Sequence, residues 1–295
     1  MNLKFDLPCE SRRKQYKDLC ASENGALKVG IIGKSILGRD IDYYKFGGGK
    51  KNIVIVGAHH AMEYITTMTL YSFLNFLQKK STRGVTSNGI NLDFLQQKFT
   101  YWVVPCLNPD GVELHLGLGR TSPLYEREVR MNDGDDFSLW QANSRGVDLN
   151  HNYDYRFFEY KKIEAKKGIL PGKTRYSGEY PESEPETKAI ANFIRILKPV
   201  AVVSLHAQGE EIFYQPSNAK TERMAGRVAK FLKYSVSEPE GLSAYGGLCD
   251  YTGAVLGIPS LTIEIGKGKN PLSLNLLPVL SEKIVNTLIR LPSYL

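Results

Sequence analysis

Apolar runs punctuated by glycine and charge divide the chain into alternating strand-like and helix-like stretches. Leu27–Ile32 and Ile41–Phe46 are short apolar or alternating runs, separated by the turn-rich segment Gly33–Asp40. A hairpin is expected there. Residues 52–57, NIVIVG, are apolar almost without a break, the pattern of a strand buried on both faces. From Ala58 to Lys79 the residues Met62, Ile65, Met68, Leu70, Phe73, Phe76 and Leu77 keep helical spacing. Phe99–Pro105 reads as the next buried strand. Residues 110–145 mix glycine, charge and aromatics and are expected as a long irregular loop of functional interest. Residues 183–186, SEPE, open a helix, with Ser183 as N-cap, Pro185 in the first turn and Glu186 closing a capping box. Ala189, Ile190, Phe193, Ile194 and Leu197 then form its apolar stripe. Val200–Leu205 and Leu261–Ile265 are further buried strands, and Ala225–Leu232 and Leu277–Leu291 are further helices. Residues 1–26 are mostly polar, with Tyr16 and Leu19 hinting at a short helix. They are expected as a helical extension ahead of a domain spanning 27–295.

Strands alternating with helices imply an α/β fold: a mixed, mainly parallel central sheet with helices on both faces. In open sheets of this kind, sites form at the carboxyl ends of strands. Three polar clusters fall there: His59 to Glu63 after the run ending at Gly57, His206 after VVSL, and Glu264 near the end of LTIEI.

Composition narrows the function classes. The 295 residues carry 42% hydrophobic and 23% charged side chains, ordinary for a globular protein with a sizeable core. The net charge of +7 comes largely from short lysine and arginine runs, which read as solvated faces. No nucleic-acid module is legible in them. No stretch reaches 18 apolar residues, so no membrane span is expected. The four cysteines are scattered, with no C-x-x-C pair, and the N-terminus lacks the apolar core of a signal peptide. Together these point to free thiols and a cytoplasmic location.

His60 and Glu63 place an imidazole and a carboxylate three residues apart at the start of a helical stretch, where positions i and i+3 share a face. Such a pair can grip one edge of a tetrahedral zinc ion, and a catalytic zinc needs a third protein ligand while keeping one open position. Topology offers His206. His59 adjoins the pair, but the spacing to Glu63 favours His60 as the ligand and leaves His59 as a wall residue. Glu264, on a strand that is otherwise apolar, is costly to bury without a partner or a task. A buried salt bridge is the ordinary alternative.

Five segments occur in a fixed order: GAHHAME, NPDGVE, NSRGVDLNHN, SLHAQGEEIFY and TIEIGKGKNP. Together, from about residue 27 to the C-terminus, they resemble the M14 zinc metallopeptidases. HAQGEEIFY and IEIGKGKNPL are most similar to the bacterial branch that cuts γ-D-glutamyl-diamino acid bonds of cell-wall peptides. The resemblance implies a metallocarboxypeptidase-like (phosphorylase/hydrolase-like) fold and one zinc ion per chain held by His60, Glu63 and His206. It also implies Glu264 as the catalytic carboxylate and a peptide or muropeptide substrate.

It implies further roles, and this chain departs from the pattern at several of them. The oxyanion arginine of many relatives follows a tryptophan directly, whereas here Trp140 is followed by Gln141. Arg145 is the expected substitute. Asn150 and His151 occupy the asparagine–arginine pair that holds a terminal carboxylate. Imidazole cannot make arginine's two-pronged bond, which argues against a simple exopeptidase. Cys249 falls where relatives set specificity, Tyr245 is expected to cover the substrate, and Gln208 and Lys267 complete the expected substrate contacts. Asp148 is expected to orient a ligand histidine from behind. The oligomeric state is left open.

Overall fold

The computed structural model describes residues 26–81, 86–87, 89–216 and 219–295, together with Lys14. The expected helix around Tyr16 and Leu19 lies outside the described residues.

The first hairpin forms as expected. β1 (Leu27–Lys34) runs antiparallel to β2 (Asp40–Phe46), joined through a turn at Gly38 with φ 79°. β3 (Lys51–Val56) follows, then a two-residue hairpin of β4 (Thr86–Ser87) and β5 (Ile90–Asn91). β6 (Phe99–Val104), β7 (Ala201–Ala207), β8 (Glu211–Phe213), β9 (Ser235–Ser237) and β10 (Ser260–Ile265) complete the strands. One sheet of eight strands has the order β1-β2-β6-β3-β7-β10-β8-β9. The central four, β6, β3, β7 and β10, are parallel, and β2 and β8 flank them antiparallel. The short strands β4, β5, β8 and β9 are too brief to carry a period in the sequence.

Side chains alternate across the sheet, as the two-residue strand period requires. Ile53, Ile55, Val203, Leu205, Leu261 and Ile263 face one core, shared with the helices Ile65–Ser81, Ala219–Leu232 and Leu277–Arg290. Val54, Val56, Val104 and Val202 face the other, shared with the helix Pro185–Leu197 and with Leu248 and Tyr251. By the same parity Ser204, His206, Thr262 and Glu264 lie on this second face, at the carboxyl ends of β7 and β10.

Two local expectations are corrected. Residues 110–145 are not one irregular loop: they contain the helices Pro109–His115 and Tyr125–Asn132 and two single 3-10 turns. Each helix is too short to display a period, but Asn108 caps the first by accepting the amide of Gly111 at 3.0 Å. The helix at Pro185 begins from Glu184, not Ser183, and Glu184 makes no side-chain cap. Glu186 does not close a capping box either. Its carboxyl leaves its own helix and accepts the amide of Ile36, at 3.1 Å, in the turn after β1.

Candidate metal and active site

The chain leaves β3 into a single 3-10 turn, Ala61–Glu63, and only then enters the helix Ile65–Ser81. With three residues per 3-10 turn, positions i and i+3 eclipse, so His60 and Glu63 sit one above the other. Longer-range bonds fix this turn. Gln141 and Trp140 accept the amides of Ala61 and Met62 at 3.0 and 2.9 Å. The side-chain amide of Asn108 donates to the carbonyls of His59 and Ala142 at 3.1 and 3.0 Å. Thr66 bridges the amide of Ala58 and the carbonyl of Glu63.

His206, on β7, meets that turn. Its Nδ1 lies 3.3 Å from Nδ1 of His60 and 3.0 Å from Oε2 of Glu63. His60 Nδ1 is 3.1 Å from Oε1 of the same carboxylate. The three donor groups fall within 4.8 Å of one another. His60 Nε2 lies 3.2 Å from Oδ1 of Asp148. That contact places a proton on Nε2 and leaves Nδ1 as a lone pair aimed at the cluster. Asn270 donates to Glu63 Oε1 at 3.2 Å and to the carbonyl of Ala207 at 2.7 Å, holding the carboxylate from the far side.

The donor set fits a zinc ion. Each of the three residues turns one ligand atom, two ring nitrogens and a carboxylate oxygen, toward a common space. Glu63 Oε2 is buried and close to His206, yet makes no well-aligned hydrogen bond and is turned into the same space. The electrostatics demand positive charge there. Burial works against charging His60, but Glu63 and Asp148 raise its pKa well above the ordinary imidazole value. Burial likewise opposes ionisation of Glu63 and Asp148, and the neighbouring imidazoles outweigh it and hold both well below the usual carboxylate range. A proton is a poor substitute for the divalent cation this arrangement accommodates.

Glu264 is the register partner of His206 on the adjacent strand, beside the cluster. Burial, together with the charge of Glu63, pushes its pKa well above the carboxylate range. His59 is fully buried behind the site as a wall residue, with Nε2 2.8 Å from the hydroxyl of Tyr153.

The other expected residues divide. Asn150 and His151 lie in the 3-10 turn after Asp148. Asn150 Oδ1 accepts the amide of Leu248 at 3.1 Å, drawing the loop Gly246–Tyr251 against the site. His151 bonds the carbonyl of Tyr245 through Nδ1 at 2.8 Å and stacks flat on Tyr160. Cys249 is buried, its thiol beside Thr262 and Ser204 on the sheet face that carries His206 and Glu264, and burial pushes its pKa up to about 12. It is an inert wall. Gln208 is bonded through Oε1 to the amide of Asn270 at 3.1 Å, so it braces the partner of Glu63. Lys267 is exposed on the turn after β10. Arg145 is half exposed, its guanidinium 3.8 Å from Glu184, and it lines a separate cavity of about 220 Å³ with Arg127 and Tyr176. Its backbone amide is held by Asn143 at 3.0 Å. No contact joins it to the three ligands.

Gln141 is joined to the ligand turn through its backbone. Its backbone oxygen anchors the turn that carries His60, and its Oε1 accepts from Thr174 at 2.5 Å. Thr174 Oγ1 also lies 3.4 Å from Oδ2 of Asp148, the carboxylate that holds His60. The sequence reading gave no role to Asn270, Asn108 or Thr174. The asparagine–proline pairs at 108–109 and 270–271 were the available signal, marking turns beside the two ends of the site.

The protein-family model described as zinc carboxypeptidase, Peptidase_M14, matches residues 14–283. A γ-D-glutamyl-L-diamino acid endopeptidase of Lysinibacillus sphaericus is 32% identical over 247 residues, covering 83% of this chain and 62% of that protein's length. Among solved structures, carboxypeptidase A from Helicoverpa armigera aligns with a TM-score of 0.74 and 18% identity, over 99% of this chain and 75% of its own. The murein-tripeptide amidase of Escherichia coli O157 aligns with a TM-score of 0.54 and 21% identity, over 92% of this chain and 94% of its own. At those identities the two structures speak for the fold.

Proposed function

The chain belongs to the M14 zinc carboxypeptidase family, and from that footing we propose that it is a zinc peptidase hydrolysing the bond between a γ-D-glutamyl residue and a diamino acid in cell-wall peptides. The observation that carries the hydrolytic reading is the convergence of two Nδ1 atoms and one carboxylate, with Glu264 in register beside them. The substrate assignment draws its support from the similarity to the Lysinibacillus enzyme and from His151. An imidazole already stacked and hydrogen-bonded is a poor general anchor for a terminal carboxylate, which disfavours a plain carboxypeptidase.

Zinc held by His60, Glu63 and His206 would activate water and polarise the scissile carbonyl. The rest of the work falls to the chain. Glu264 takes the proton from the attacking water and hands it to the leaving nitrogen. Asp148 holds His60 in the required tautomer. Gln141, with Oε1 taken by Thr174, has its amide hydrogens to offer the carbonyl oxygen as negative charge builds there. Arg145, whose guanidinium lies 3.8 Å from Glu184, is the alternative donor for that step. The cytoplasmic location expected from the cysteine pattern belongs to the same proposal, since such an enzyme would act on imported wall fragments.

The test is to incubate zinc-loaded protein with a muropeptide and with linear peptides, followed by mass spectrometry. Release of a diamino acid or its peptide from the muropeptide supports the reading. Trimming of C-terminal residues from linear peptides alone replaces it with a carboxypeptidase or deglutamylase.

A further inference from the structure

Arg156 has no role in the chemistry above, yet its position is unusual in three respects. It adopts φ 51° and ψ 26°, the left-handed region, at the start of the helix Phe157–Lys167, and makes no side-chain cap there. Non-glycine residues held in that region often mark functional constraint. Its guanidinium lies over the ring of Tyr245, 4.3 Å from the centroid, and Nη2 donates to the Tyr245 hydroxyl at 3.3 Å. Tyr245 is in turn tied to the candidate substrate pocket, because its carbonyl holds His151 and it precedes the Gly246–Tyr251 loop that Asn150 draws in. The chain around Arg156 pairs with the start of that loop: the amide of Gly246 donates to the carbonyl of Tyr155 at 2.9 Å.

The other groups near this loop are committed. Arg195, which reaches Tyr251 at the loop's far end, spends both terminal nitrogens on Glu182 at 2.6 and 2.7 Å. His151 is fixed by Tyr245 and Tyr160. Arg156 is less constrained. Glu159 meets it through a single oxygen, Oε2, at 3.0 and 2.6 Å, and Tyr155 also touches the guanidinium. Both members of the Arg156–Glu159 pair are solvent-exposed, where such a bond is worth little. A second carboxylate arriving from the pocket can therefore share the guanidinium at small cost.

We propose that Arg156, steadied on Tyr245, is the specificity-determining residue for a carboxylate on the side chain of the residue that follows the scissile bond. Resting on the proposed cell-wall substrate, this singles out diaminopimelate over lysine as the diamino acid. The two side chains differ by that one carboxylate.

The experiment compares kcat/KM of the zinc-loaded enzyme for γ-D-glutamyl-meso-diaminopimelate and γ-D-glutamyl-L-lysine, in the wild type and in Arg156→Gln and Arg156→Lys. The wild type should prefer diaminopimelate. Arg156→Gln should lower that preference about 10- to 100-fold, the size of one charge-assisted hydrogen bond, with little effect on the lysine substrate. Arg156→Lys should retain part of it. An equal loss on both substrates would assign Arg156 to holding the loop and overturn the proposal, as would an unchanged ratio. If the wild type cuts neither γ-D-glutamyl substrate, the substrate reading fails by itself. The same variants are then compared on linear peptides ending in Glu or Gln. A glutamate preference that disappears in Arg156→Gln upholds the carboxylate role, and its absence in the wild type ends it.

Discussion

Glu264 and His206 are register partners on β10 and β7, two parallel neighbours at the centre of the sheet. Adjacent strands lie about 4.8 Å apart, so a carboxylate and a metal-ligating imidazole are set side by side by backbone hydrogen bonds alone. No flexible loop intervenes. The position of the base relative to the ligand is therefore as rigid as the sheet. The other two ligands come from a turn clamped by Asn108, Gln141 and Thr66.

Glu264→Gln keeps the strand, the side-chain size and the three ligands, and removes the proton acceptor. It should bind zinc at the wild-type stoichiometry and lose about 10²–10⁴-fold in kcat. Metal analysis and turnover measured on the same sample check this. Undiminished hydrolysis would remove Glu264 from the mechanism.

Asp148→Asn should weaken zinc binding about 10- to 100-fold, because His60 loses the anion that fixes its tautomer. Competition with a chelator of known affinity measures the change. Asparagine keeps one oxygen for the amide of Asn150 and loses the acceptor that the amide of Arg175 uses, so circular dichroism is recorded alongside to separate a local rearrangement from loss of the fold.

Gln141→Ala and Arg145→Ala separate two candidate donors to the developing oxyanion. The first should cost about 10²–10³-fold in kcat with little change in zinc content. The second should stay within a few-fold of wild type, since the Arg145 guanidinium is half exposed and meets Glu184. The opposite ranking would return the role to Arg145.

Glu186 predicts a pH effect on stability remote from the metal. Burial, aided by Asp110 and Glu184, raises its pKa from 4.5 to about 8. The folded state thus holds a proton that the unfolded chain releases above its lower pKa. Its stabilising contribution is complete below about pH 4.5 and is lost as pH rises toward 8, by at most about 1.4 kcal/mol per pH unit. Glu186→Gln keeps an acceptor for Ile36 and cannot ionise. Urea melts at pH 5 and pH 8 should show the variant losing less stability across that interval than wild type. Parallel losses would place the titration elsewhere.

The order of strands and helices, the hairpin at the start of the domain and the pairing of His60 with Glu63 were all legible in the sequence. Each rests on short-range regularity: uninterrupted apolar runs, a helical stripe such as Ile190 to Ile194, or two ligands three residues apart. Where the signal is local but thin, as in the short helices of 110–145 or the start of the Pro185 helix, the structure departs from it, because three or four competing polar residues can cap or turn a chain in several ways. Tertiary structure alone decided which partner each functional group received. His206 reaches His60 across 146 residues, and Asn270 reaches Glu63 across 207. Arg145 met Glu184 and Gln141 met Thr174 for the same reason. A polar side chain takes the partner that folding leaves within hydrogen-bond reach, and local sequence carries no record of which distant segment that will be.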